Sequence, residues 1–113
     1  MLSICVALEE NKDATKEIAR RAIRRFWVLK YMAERQDQPP IYVHRITKDV
    51  QRMMDVTLRD QDIKACIEDL VKLQFVERMP VGDGVAYKIS QQGFDWWIEN
   101  RERLSLLILL SPR

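Results

Sequence analysis

The chain has 113 residues, 47% of them hydrophobic and 32% charged, with a formal net charge of +2. That length and composition fit one globular domain with its own core, and they exclude a disordered chain or a miniprotein that depends on disulfides. With 19 Lys plus Arg against 17 Asp plus Glu, any contact with nucleic acid has to come from local clustering of charge.

Met1 to Leu8 is apolar, but no basic residue leads it and it runs into Glu9 and Glu10, the wrong flanks for an export signal. From about Lys12 to Arg35, Ile18, Ala22, Phe26, Leu29 and Ala33 recur at three- and four-residue spacing. This predicts a long amphipathic helix with these five side chains on its buried side. Pro39-Pro40 breaks the pattern, and Ile41-Tyr42-Val43 predicts a short strand. Thr47 is then the expected N-cap of a second helix, Lys48 to Met54, followed by a turn at Asp55-Val56-Thr57.

A third helix is expected to start between Leu58 and Asp60, opened by a capping box between Thr57 and Asp60, and to reach Leu73. Ile63, Cys66, Ile67, Leu70, Val71 and Leu73 form its inward stripe. Phe75 to Met79 predicts a strand, Pro80 to Gly84 a turn, and Val85 to Ile89 the returning strand of a hairpin. Ser90 is the expected cap of a last helix that carries Phe94, Trp97, Ile98 and Leu104 and runs into the apolar tail Leu106 to Leu110. That tail is far shorter than the ~20 residues needed to cross a bilayer. No repeat or linker divides the chain. Residues 1–113 are therefore expected to form a single domain, with its core over about 12–101 and an apolar extension at each end.

The order helix, short strand, helix, helix, strand, turn, strand, helix resembles the winged helix-turn-helix domain. That fold is mainly α with a small antiparallel β-wing, of α+β class. Leu70-Val71-Lys72-Leu73-Gln74-Phe75-Val76-Glu77-Arg78 resembles its passage from recognition helix to first wing strand. Tyr87-Lys88-Ile89-Ser90 followed by Gly93 resembles its second wing strand entering the last helix. The resemblance covers roughly Ile18 to Arg101. In that superfamily Gly usually stands where Gln74 does, in a left-handed conformation, and Gly is commoner than Asp at position 55. The resemblance implies a DNA-binding protein of transcriptional control whose third helix enters the major groove. Carried onto this chain, Arg59, Gln61 and Lys64 become the base-reading residues, and Arg45, Lys48, Arg52 and Lys88 the phosphate contacts.

The charges qualify that expectation. From Thr57 to Pro80 there are four basic and five acidic residues, so the third helix repels phosphates unless its acids point away. Lys12 to Lys30 holds seven basic residues against two acidic ones, and Lys16, Arg20, Arg21 and Arg24 form a secondary basic face. Two alternatives follow: a winged-helix module for protein–protein assembly, and a non-specific nucleic-acid-binding accessory protein that uses the Arg-rich first helix. Trp96 and Trp97 diverge by ~100° on one helix and cannot share a core. With the apolar ends they point to a homodimer whose interface includes Leu2, Val6, Trp96, Leu104, Leu107 and Ile108, the alternative being that the ends fold back onto the same subunit. His44 is the lone histidine, and Cys5 and Cys66 have no partners at ligand spacing. No catalytic set, metal site or cofactor is expected, and the chain is expected to be a non-enzyme in the cytoplasm, with reduced thiols.

Overall fold

In the computed structural model, the backbone is described for residues 2–110 and side-chain environments for residues 16–103. The elements are α1 (Leu2–Glu34), α2 (Val43–Met54), α3 (Asp60–Lys72), β1 (Val76–Val81), β2 (Gly84–Ile89) and α4 (Gln91–Leu110). Helix α1 packs on α2, α3 and α4 and also touches β2, while β1 lies beside α3. The core is where all of these meet. Val28, Tyr31 and Met32 enter it from α1, Ile46 and Val50 from α2, and Ile63, Ile67 and Leu70 from α3. Val76, Tyr87 and Ile89 come from the hairpin and Trp97 from α4. The hairpin is a two-stranded antiparallel sheet running from Val76 opposite Ile89 to Val81 opposite Gly84. Its tip is tight because Gly82 adopts φ 60°, open to glycine without steric cost.

Helix α1 is longer than expected, and its early turns leave the core. Ile18, expected on the buried side, is 68% exposed, and Ala22 is exposed as well. The reason is length: α1 has 33 residues, whereas α2 has 12 and α3 has 13. At 1.5 Å per residue, two short helices cover only the last few turns of the long one.

The strand expected at Ile41 to Val43 shrinks to one bridge. Ile41 exchanges both backbone hydrogen bonds with Tyr87 at 2.8 Å, and Val43 already opens α2. Thr47 is therefore not an N-cap. It is buried inside α2, where its hydroxyl donates to the Val43 carbonyl at 2.9 Å, the one-turn-back bond that lets threonine sit in a helix without an orphaned hydroxyl. Nor does Thr57 cap α3. Arg59 occupies that position without a side-chain cap, and the preceding loop is tied instead by the Leu58 N–H donating to Gln51 Oε1 at 2.9 Å. Leu73, expected to face inward, is 55% exposed because α3 has ended and the chain is turning. The first wing strand starts one residue later than expected, since the Phe75 N–H closes α3 by donating to the Leu70 carbonyl. Val85 alternates with the buried Tyr87 and Ile89 along the strand, which predicts one shared face, but it is exposed at the tip, whereas Ala86 is buried.

Gln74 and Asp55 both take the left-handed conformation, with φ 65° and 55°. Asp tolerates this region, while Gln pays a steric penalty there. Gln74→Gly is expected to stabilise the fold by ~1 kcal/mol and raise the melting temperature by ~4 °C in a thermal scan. A fall in melting temperature would show that the Gln74 side chain contributes more than its backbone strain costs.

The base of the wing is a backbone knot. The Ser90 N–H donates to the Phe75 carbonyl at 2.8 Å and the Ser90 hydroxyl to the Gln74 carbonyl at 2.7 Å. The same hydroxyl accepts the Gly93 N–H at 2.9 Å. Ser90 thus caps α4 as its sequence position implies, while joining both ends of the hairpin. Gly93 is required by close approach: a Cβ there would lie 2.1 Å from the Phe75 carbonyl oxygen.

Candidate nucleic-acid interface

Helix α3 has two opposed faces. Ile63, Cys66, Ile67 and Leu70 are buried, and Gln61, Lys64, Ala65 and Glu68 line the outer side at one-turn spacing. Gln61 and Lys64 are exposed on that outer face, and Arg59 is exposed at the helix N-cap. On α2, Arg45, Lys48 and Arg52 are all exposed, so Arg45 lies within the helix and not ahead of it. The Arg45 Nε is 3.9 Å from Asp49, a loose pairing that leaves the guanidinium free to turn outward. Lys88 is half-buried on β2, directly across the hairpin from Glu77.

The acidic residues of α3 settle into partnerships that the sequence conceals. Asp69 receives Arg25 of α1, with Nε–H donating at 3.0 Å and the second guanidinium nitrogen at 2.7 Å, and Arg21 approaches to 3.8 Å. Glu68 accepts a forked pair of hydrogen bonds from Arg78 of β1 and one from the Tyr87 hydroxyl of β2 at 2.9 Å. The Arg78 guanidinium holds the Glu68 carboxyl below the usual carboxylate range, against an opposing push from its partial burial. Asp60, in the first turn, lies 3.1 Å from His44 Nδ1. Asp60 and Asp62 also sit at the positive end of the helix dipole, where a carboxylate is favoured.

The secondary basic face is less free than its sequence suggests. Arg21 faces Asp69, and Arg20 and Arg24 each approach Glu17 at 4.0 Å. Lys16 is exposed on the same helix. Arg20 and Arg24 also border a shallow groove with Met54, Val56 and Leu58, beside the α2–α3 loop.

Three further groups were not singled out by sequence. Tyr31 is wholly buried, and its hydroxyl donates to Asp49 at 2.5 Å, pinning α1 to α2 beneath Arg45. Burial first, and then this bond, push the Tyr31 phenol up to about 12. Arg35 lies 3.7 Å over the Tyr31 ring. At the start of α2, the Tyr42 hydroxyl donates to the Val81 carbonyl at 3.2 Å, joining the helix to the wing tip. An alternating pattern locates the hairpin but gives no hint that Tyr42, Tyr87 and Arg78 fasten it to the helices.

Trp96 and Trp97 do diverge. Trp97 is buried against Phe26, and Trp96 stacks on Phe75 at 4.9 Å instead of standing clear of its own subunit. Its ring borders an apolar groove of about 190 Å³ with Ala22, Phe26, Leu29, Leu70 and Leu73. Leu2, Val6, Leu104, Leu107 and Ile108, expected at a dimer interface, lie outside the residues whose side chains are described, as does Cys5. Cys66 is buried, and burial pushes its thiol up. Among the described residues there is no cluster of three His, Cys, Asp or Glu able to hold a metal, and no helix long and apolar enough to cross a membrane.

No protein-family model matches the chain, and no curated protein matches it at a significant level. Solved structures do. The chain is similar to a transcriptional regulator from Clostridium thermocellum, with TM-score 0.64 and 14% identity over 81% of this chain and 89% of that one. A PadR-like transcription factor from Bacteroides fragilis gives TM-score 0.64 and 13% identity over 83% and 91% of the two chains. RosR of H. salinarum gives TM-score 0.61 and 16% identity over 80% and 78%. At these identities the likeness establishes the fold, and the chain is a winged helix.

Proposed function

We propose that this chain is a sequence-selective DNA-binding regulator of transcription in the cytoplasm, acting without catalysis. Arg59, Gln61 and Lys64 read base edges in the major groove, and Arg45, Lys48, Arg52 and Lys88 take phosphates on either side. The observation that carries this reading is the pairing of Asp60, Glu68 and Asp69 with His44, Arg78 and Arg25. It draws three of the four α3 acids into bonds within the chain and leaves the reader side chains exposed. An unpaired acidic helix would be repelled by the duplex; here arginines answer Glu68 and Asp69, and Arg59, Gln61 and Lys64 stand exposed beside Asp60 and Asp62 at the leading end. The similarity to a transcriptional regulator and to a PadR-like transcription factor supports the same reading.

The protein acts as a homodimer in this proposal. Exposed Ile18 and Ala22 on α1 and the groove at Trp96 form one apolar flank. The apolar end segments, whose sequence holds Leu2, Val6, Leu104, Leu107 and Ile108, supply the rest of the interface in this proposal. A two-fold pair would address half-sites about 34 Å apart, one turn of duplex.

The test is fluorescence anisotropy of a mixed-sequence duplex of ~30 base pairs across a salt series, since a helix-turn-helix reader binds non-specifically through phosphates before it finds its site. Micromolar binding with a log–log salt slope near −3 to −4 per subunit is expected if Arg45, Lys48, Arg52 and Lys88 each displace counterions, at ~0.9 per phosphate. Absence of binding even at ~50 mM salt would reject the reading and favour a protein-assembly role at the apolar flank.

A further inference from the structure

Glu68 stands at the far end of the row Gln61, Lys64, Ala65 and Glu68 on the outer face of α3, a carboxylate on the side assigned to the groove. Its charge is answered from outside the helix. Arg78 on β1 reaches it with Nε at 3.2 and 3.1 Å from the two oxygens and with a terminal nitrogen on Oε2. The Tyr87 hydroxyl, from the opposite strand and directly across from Arg78, donates to Oε1 at 2.9 Å. The fork is the geometry in which a guanidinium binds a carboxylate most specifically. Arg78 and Lys88 are the cations of the wing, and the tip between them carries Asp83 and exposed Val81 and Val85.

We propose that Arg78 serves DNA binding by masking Glu68 and not by touching the duplex, so that the wing acts as the counter-charge of the recognition helix. The proposal rests on the reading of α3 as the groove-facing helix. The Nε–Nη2 edge of Arg78 is committed to Glu68, which leaves only its far side for any other acceptor, and the pair presents itself to DNA as nearly neutral. Tyr87 keeps the carboxylate in place whether or not Arg78 is present. Loss of the arginine therefore exposes a fixed negative charge and does not let it swing away. The sequence count of four bases against five acids along this stretch is misleading for the same reason: one base and one acid cancel in space, ten residues apart in the chain.

The test is a double-variant cycle on the full chain, comparing wild type, Arg78→Gln, Glu68→Gln and the double variant by anisotropy on one duplex, with thermal melts of all four. Arg78→Gln is expected to weaken binding about tenfold at low salt, as an unmasked like charge near phosphates does. Glu68→Gln is expected to bind as well as wild type or better, and the double variant to recover to within about threefold of wild type, with an unchanged salt slope. A double variant as weak as Arg78→Gln, with a slope smaller by ~0.9, would overturn the proposal and make Arg78 a direct phosphate contact. Should wild type itself fail to bind, the reading of α3 falls and takes the proposal with it. The wild-type arm and the cycle thus report the two failures separately. The melts guard against unfolding: if Arg78→Gln lowers the melting temperature into the binding range, Arg78→Met, which keeps the apolar stem without the charge, replaces it in the cycle with the same expected outcomes.

Discussion

Gly93→Ala is expected to destabilise the protein by ~3 kcal/mol, the upper part of the range for forcing a methyl group into filled space. The sign is the informative part. A glycine one turn into an exposed helix would normally gain up to ~1 kcal/mol on replacement by alanine, because alanine is the better helix former. Here that gain is outweighed, since the new Cβ would fall 2.1 Å from the Phe75 carbonyl oxygen and 2.8 Å from its carbonyl carbon. The obstacle is backbone, which cannot swing aside as a side chain does. Moving it would stretch the bond from the Ser90 N–H to that carbonyl, and with it the tie between α3, the wing and α4. Chemical denaturation reads the effect as a lower midpoint with the slope unchanged. A variant as stable as wild type would mean that α4 slides away from Phe75 freely, and the wing base is not the fixed point described above.

The second large effect is on recognition. Combining Arg59→Ala, Gln61→Ala and Lys64→Ala is expected to cost about 1–3 kcal/mol per lost base contact and to bring affinity for a selected site down to the non-specific level, on the order of 1,000-fold. Affinity for mixed-sequence duplex should fall much less, because Arg45, Lys48 and Arg52 on α2 are untouched. All three replaced side chains are exposed, so stability should move by no more than ~0.5 kcal/mol for each. The measurement is a selection from a random duplex library, followed by competition between the enriched site and mixed sequence. Equal losses on both duplexes would show that these residues supply charge alone, and a triple variant that still discriminates would put sequence reading elsewhere.

Local rules carried the sequence reading as far as neighbours in the chain decide the outcome. Periodicity located α3 and the last turns of α1, the glycines at 82 and 84 located the hairpin turn, and Ser90 marked the start of α4. The left-handed residue at position 74 was legible only through the resemblance to winged helices, which usually have Gly there. Errors came where one residue type serves two environments. Threonine at position 47 fits a cap or a back-bonded helix interior, and only the true start of α2 at Val43 distinguishes them. Ile18 fits a buried stripe, but burial depends on whether another helix is long enough to reach it. The interface chemistry was the least legible part. Pairing of Asp69 with Arg25 spans 44 residues, and that of Glu68 with Arg78 needs the hairpin folded back on α3. A charge count along the chain reports neither.

The knot joining Gln74, Phe75, Ser90 and Gly93 also bears on how such a domain can vary over evolutionary time. It closes the hairpin into a loop whose two ends are held by the same few backbone atoms, so the segment beyond can grow or shrink without shifting α3 or α4. Lengthening a closed loop is cheap, ~0.6 kcal/mol for each doubling. Insertions around Gly82 and Asp83 should therefore be among the least costly changes available to this chain, and the length of the wing can drift while α3 stays where it is.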